Sequence, residues 1–398
     1  MKEKVLYIKT FVLIMIFLLY FKPNIYLFYT FLKNQIEYKH IDFYSKYCND
    51  QQSIKKSKKK DNPKISIISP VYNREKYILR FIKSVQLQNF CDLEILFVDD
   101  NSLDNSAKLI KKYMKNDKRI KLIKNRKNKG TFKVRNIGVL YSRGKYVIIP
   151  DPDDILSNNI LSACYKYAEK YSYDFIRFNT YLGRGKILLK NFAKNHEDRP
   201  IYQPELSTYV FYGDKEIRMI DYYITNKFIK RQIYVKALNS LNIFYLNMYM
   251  TKAEDQIMNF LIYRTAKSFY YINIIGYRYF RSTESITSKQ LSSDLHLKFI
   301  FYYLKFIFEY SKNTKYEKDM VVHLFTQIIR GFNIERYISS LVFNNEEFSF
   351  FLKVLNMCLN CTFINDINKL ILQKLKNIIE YKNKTYFQSL AKKRIIKK

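Results

Sequence analysis

Residues 93–102 read LEILFVDDNS, a short apolar run that ends in two adjacent aspartates. A run of this length bounded by turn residues is the pattern of a strand buried on both faces, with the acidic turn at its carboxyl end. The stretch before it has the same design. Residues 64–69 (KISIIS) form a β-branched run stopped by Pro70, and residues 75–88 then set Ile78, Phe81, Ile82 and Val85 on one helical face. After it follow a helix over 106–114, a strand at 120–123, a strand over 146–149 ending at Pro150-Asp151, and a helix from about 159 to 171. Strands alternating with helices predict an α/β fold with a largely parallel, doubly wound sheet. Ligands of such sheets collect in a crevice at the strand carboxyl ends. The two most acidic clusters, Asp99-Asp100 and Asp151 to Asp154, both fall there.

Each cluster has a chemical and a bland reading. Asp151-Pro152-Asp153-Asp154 places carboxylates two apart after a buried strand, which suits a hard cation that also bridges phosphate oxygens, Mg²⁺ or Mn²⁺. Asp154 taken alone also suits a helix N-cap. The aspartate-nucleophile phosphatase pattern wants Thr or Val two residues after the second Asp; Ile155 stands there instead. In Asp99-Asp100-Asn101-Ser102 the carboxylates can accept hydrogen bonds from a nucleobase imide or ribose hydroxyls, or simply close an Asx turn. Tyr72 can stack on a base, and Asn73 can cap the next helix.

Four stretches, IISPVYN at 67–73, FVDDNS at 97–102, GTFKVRNIG at 130–138 and GKYVIIPDPDD at 144–154, resemble the family-2 glycosyltransferases in order and spacing, over roughly residues 64–285. The resemblance implies a GT-A fold with a mixed, mostly parallel sheet, inversion at the anomeric carbon, and a nucleotide-sugar donor, UDP-sugar favoured. It implies that Tyr72, Arg74, Asp99 and Asp100 face the nucleotide base, that Arg135 approaches the nucleotide, that Asp151 touches ribose or metal, and that Asp153 is the main metal ligand. Lys252-Ala253-Glu254-Asp255-Gln256 resembles the Glu-Asp element that supplies the family's catalytic base, with Asp255 in that role. Thr251-x-x-Glu254 fits a capping box, which gives Glu254 a structural part and leaves Asp255 at a helix N-terminus, where the dipole favours its anion. Residues 226–231 look like the family's acceptor-side strand and turn, and 277–287 like its closing segment. Pro152 departs from the small residue usual between the aspartates and stiffens that turn.

Outward from this core, residues 5–21 are apolar apart from Lys9 and Thr10, and a second apolar run spans 25–32. Together they are long enough for a bilayer, and no small-residue cleavage site follows, so 1–32 reads as an uncleaved transmembrane anchor. Lysines flank it on both sides, which leaves the orientation open. A polar stem over 33–62, a catalytic domain over 63–288 and a helical C-terminal region over 289–398 complete the expected layout. A single-pass membrane protein follows, of the Golgi or endoplasmic reticulum if eukaryotic, with a glycan, lipid or protein acceptor. Seventy Lys and Arg against thirty-five Asp and Glu give a net charge of +35, but no nucleic-acid module accompanies it, and the Lys, Asn, Ile and Tyr bias is general. The four histidines have no metal spacing, and Cys358-x-x-Cys361 stands alone. The competing readings are an inactive relative of the same fold and a basic protein that binds membranes or polyanions.

Overall fold

The computed structural model describes residues 62–182, 223–251 and 254–280 continuously, with 200–203 and shorter pieces between 186 and 380. β1 (Ile65–Val71), β2 (Leu93–Asp99), β3 (Ile120–Lys124) and β4 (Tyr146–Ile148) alternate with α1 (Glu75–Gln86), α2 (Ser106–Asn116) and α3 (Thr131–Tyr141). β1 lies between β2 and β4, parallel to both, and β3 adds in parallel outside β2. Every residue of β1 and β2 is buried, as the continuous apolar runs require.

The second half runs through β5 (Ile155–Leu156), α4 (Ile160–Tyr171), β6 (Phe175–Leu182), β7 (Lys186–Leu188), β8 (Ile201–Tyr202), β9 (Tyr212–Gly213) and β10 (Glu216–Ile217). It continues with β11 (Lys227–Lys230), α5 (Arg231–Asn239), α6 (Ile243–Asn247), α7 (Glu254–Thr265) and β12 (Ser268–Tyr279). The main sheet has the order β3-β2-β1-β4-β11-β6-β12-β5, with β7 on β6 and β8 on β12; β9 and β10 pair separately. β11 enters antiparallel between β4 and β6, and β12 lies parallel to β6. The sheet is therefore mixed: β1 to β4 pair only in parallel with one another, and the antiparallel pairings enter with the second half.

Three local results differ from the sequence expectation. β1 does not stop at Pro70 but continues to Val71. Its ladder with β4 ends at Ile67, so Pro70 lies where the sheet is open on that side and a missing N–H is tolerated. Asn73 does not cap α1; it takes φ 51° in the left-handed region, and the amides of Arg74 and Glu75 instead donate to Ser106 Oγ (2.8 Å) and Asp104 Oδ2 (2.9 Å). Glu75 in turn accepts from the Asn105 amide at 3.0 Å, so α1 and α2 cap one another's first turns. α3 has no amphipathic signature because it is enclosed on several sides, burying Phe132, Val134, Arg135, Asn136, Gly138 and Val139. A methyl at Gly138 would stand 2.2 Å from Ile68 Cγ2, so only glycine lets α3 lie this close to β1.

Two buried charge clusters fix the β2–β3 layer. Glu94 accepts from Ser66 Oγ (2.7 Å), Lys121 Nζ (2.6 Å) and the Arg143 amide (2.6 Å). Asp117 and Arg119 form a fully buried bidentate pair at 2.9 and 2.8 Å. Cys164 is a free, buried thiol.

Residues 1–61, the boundary near 288 and most of the C-terminal region lie outside the described residues, and so do the histidines and the Cys358-x-x-Cys361 pair. Among the described residues no helix is long and apolar enough to cross a membrane. The described positions between 302 and 310 are helical, and Phe306 packs on Tyr245 of α6 and Phe260 of α7 with ring centroids 5.4 Å apart in both pairs.

Candidate active site

The parallel strands β1, β2 and β4 end side by side, and each delivers its following turn to one crevice. After β1, exposed Tyr72 and left-handed Asn73 lead into Arg74, and Asn73 Oδ1 accepts the Leu103 amide at 2.8 Å. After β2, Asp99 is completely buried. Its Oδ1 accepts the Ser102 amide at 3.2 Å, and its Oδ2 has no hydrogen-bond partner, with Lys124 Nζ 3.8 Å away. A buried carboxylate oxygen without a donor suits a ligand N–H or O–H. Asp100 turns elsewhere: it accepts the amides of Lys129 (2.9 Å) and Gly130 (3.0 Å) and the Asn125 side chain (2.8 Å). Its carboxylate is committed to the loop that opens α3, where Gly130 has φ 83° and faces Met250 O.

After β4, Asp151 to Asp154 form a tight turn with the Asp154 amide 3.3 Å from Asp151 O and Pro152 at its second position, where the fixed φ of proline is favoured. Pro152 thus pre-forms the turn. Asp153 lies 3.5 Å from Arg74 Nε, and its carbonyl accepts from Arg80, whose guanidinium covers the Phe280 ring at 3.9 Å. Asp154 is no helix cap. It is buried, accepts from Tyr277 Oη at 2.5 Å and from the Phe280 amide at 2.8 Å, and so ties the turn to the end of β12. Tyr277 Oη also accepts the Asp151 amide at 3.1 Å. Burial, then the neighbouring Asp151, pushes the Asp153 carboxyl above its ordinary value; burial and Asp153 push Asp154 further.

Arg135 joins the two halves of the crevice. From α3 its guanidinium donates to Asp151 Oδ1 (2.8 Å), to Glu254 Oε1 (3.1 Å) and to Asp255 Oδ1. Burial opposes its charge, but Asp255, Asp151 and Glu254 together hold its pKa well above the ordinary value. Glu254 therefore faces inward onto Arg135; residues 252 and 253 of the expected capping box lie outside the described residues. Burial and then Asp255 push Glu254 up to about 8. Asp255, whose Oδ2 accepts the Ile224 amide at 3.4 Å, is raised by burial despite Arg135. Phe132, Ile224, Tyr234 and Met258 complete the lining of this part of the crevice.

Of the residues singled out from sequence, Arg135, Asp151 and Asp255 meet directly, Arg74 meets Asp153, and Tyr72 and Asp99 stand at the adjoining strand ends. Arg80 and Tyr277 were given no role from sequence. Tyr277 sits in the segment read as closing the domain, but Arg80 belongs to an ordinary amphipathic helix and carries no sequence signal. Two carboxylates two residues apart, repelling one another on a preformed turn, are a donor set that fits Mg²⁺ or Mn²⁺ completed by substrate oxygens. Among the described residues no group of three or more His, Cys, Asp or Glu forms a protein-only metal cage.

A mixed sheet of this order, with acidic turns at the ends of β2 and β4 and a carboxylate pair opposite, is that of a GT-A type fold. TarS of Staphylococcus aureus, solved as residues 1–349 with UDP, has this fold: TM-score 0.58 at 18% identity, covering 82% of this chain and 92% of that one. Residues 66–237 match the model of glycosyl transferase family 2. Among curated relatives it is 30% identical over 117 residues to the glycosyltransferase GlyG of Streptococcus pneumoniae, covering 29% of this chain and 39% of that one. It is 27% identical over 225 residues to the glycosyltransferase EpsJ of Bacillus subtilis, covering 56% and 63%. It is 38% identical over 115 residues to the GalNAc(5)-diNAcBac-PP-undecaprenol beta-1,3-glucosyltransferase of Campylobacter jejuni, covering 28% and 37%. The chain spans less than two thirds of the length of each of these three relatives.

Proposed function

We propose that this chain is an inverting glycosyltransferase that moves a sugar from a nucleotide-sugar donor, a UDP-sugar, to an acceptor hydroxyl, with Asp255 as base. The observation that carries the reading is Arg135, which links the donor-side turn (Asp151) to the pair at the start of α7 (Glu254, Asp255) within one crevice. A base and a leaving-group site on opposite sides of one reacting carbon are what a single displacement needs. In support, TarS is solved with UDP and with UDP-GlcNAc.

The roles follow from placement. Asp99 Oδ2 receives a nucleobase or ribose donor while Tyr72 offers its ring to the base. Asp151 and Asp153 would hold Mg²⁺ or Mn²⁺, which when bound neutralises charge on the departing diphosphate. Arg74, beside Asp153, lies within reach of the same phosphates. Asp255 takes the proton of the acceptor hydroxyl as that oxygen attacks C1; the C1–O bond to the nucleoside diphosphate breaks and the anomeric centre inverts. Its raised pKa makes it a stronger base than an exposed aspartate. Arg135 positions Asp255 and Asp151 by donating to both, and its Nε has no hydrogen-bond partner within the chain.

The acceptor is a lipid-linked glycan in this reading, in keeping with the undecaprenol-linked substrate named for the Campylobacter relative and with residues 1–32 as a membrane anchor. The test is transfer by the full chain in detergent across a panel of UDP- and GDP-sugars with Mn²⁺, beside Asp153→Ala and Asp255→Asn. Activity with one donor that both variants lose is expected. Folded protein that binds no nucleotide with Mn²⁺ present would overturn the reading.

A further inference from the structure

We propose that the corner built from α2, β3 and the loop into α3 is the face by which this chain lies against an anionic bilayer. Eleven of residues 105–129 are Lys or Arg against a single acid, Asp117, whereas the chain as a whole carries 70 against 35. The general lysine bias therefore accounts for a ratio of two to one and not for this segment. Asp117, Arg119 and Lys121 are spent on internal pairs, but Lys108, Lys111, Lys112, Lys115, Arg126 and Lys127 are exposed.

The spacing 108, 111, 112, 115 follows i, i+3, i+4, i+7 and lines four ammonium groups along one stripe of α2. Like charges at these separations weaken a helix, so the stripe is kept against local stability. Lysines that shield a sheet edge from pairing would belong on β3, the edge strand, and not on the outer face of the helix beside it. The occupant follows from two further facts. An apolar segment lies at 5–32, only the 33–62 stretch separates it from the domain, and that stretch itself contains Lys55, Lys56 and Lys58 to Lys60. A domain tethered so closely meets the headgroup layer at high effective concentration, and clustered lysines beside a membrane segment are drawn to anionic lipid. The loop of Arg126 and Lys127 leads to Lys129, whose amide binds Asp100, so this corner adjoins the turn after β2.

The inference goes beyond the transferase reading; it rests on the membrane anchor of that reading and not on transfer activity. The test places the full chain in nanodiscs of phosphatidylcholine alone or with phosphatidylglycerol and follows acetylation of individual lysines by mass spectrometry. With the anionic lipid, Lys108, Lys111, Lys112 and Lys115 should react several-fold more slowly at low salt and recover at high salt, while Lys166 of α4 and Lys236 of α5 stay unchanged. In Lys111→Glu with Lys112→Glu, folded by circular dichroism, Lys108 and Lys115 should lose that protection. Equal rates in both lipids, or protection that survives the double variant, would overturn the proposal. Protection by a soluble acidic polysaccharide but none by the anionic lipid would overturn it too and assign the stripe to a polyanionic glycan.

Discussion

Arg135 is the residue on which the crevice turns. One buried guanidinium pairs with three carboxyl groups from two elements, and removing it leaves Asp151, Glu254 and Asp255 without their shared cation. Arg135→Met is expected to cost about 3–5 kcal/mol, read as a lowered urea midpoint. A substitution that left the midpoint unchanged would mean the carboxylates are protonated in the native state. At Asp255 the expectation is kinetic. Asp255→Asn keeps the shape but not the base, so kcat should fall roughly 10²–10⁴-fold while nucleotide affinity holds, as titration calorimetry and initial rates would show. The Asp151 and Asp255 positions were both legible from their motifs. That one guanidinium, Arg135, bridges them was not, because a linear motif says what a side chain can bind and not what stands opposite it.

Among the elements, α3 carries the site and depends on a single close approach. Gly138 lets it touch β1, and Gly138→Ala would drive a methyl into Ile68. The expected loss is about 1–3 kcal/mol, with Arg135 displaced and activity reduced beyond what stability explains; thermal melts beside kcat measurements separate the two. β1, β2, α1, α2 and α4 were readable because each presents one signal, a continuous apolar run or a single apolar stripe. α3 was hidden, since a helix enclosed by β1 and β2 on one side and by α5 and α7 on another loses its polar face. The same enclosure brings it near enough to both halves of the site to join them.

At the scale of the molecule, the buried Asp117–Arg119 pair gives a pH dependence away from the crevice. Burial works to raise the Asp117 pKa, and Arg119 and Gln86 more than offset it, so the folded value lies below the ordinary 3.8. The stabilisation is therefore complete above 3.8 and is lost as pH falls through the lowered folded value. Urea unfolding at falling pH should show wild type losing stability in that acid window, with Asp117→Asn less stable at neutral pH and flatter below it. An identical slope in both proteins would remove Asp117 as the cause.

The sequence by itself determined the strand–helix alternation, the acidic turns at the strand ends and the family they resemble, because each depends on residues within one turn or one strand of each other. Only the tertiary structure decided that β11 enters antiparallel beside β4, that Asp100 serves a loop while one Asp99 oxygen is left without a hydrogen-bond partner, and that Asp154 and Tyr277 lock the Asp151–Asp154 turn. Those partners lie 29 to 123 residues apart in the cited pairs at Asp100 and Asp154, and a contact at that separation is set by how the layers pack, which no local periodicity records.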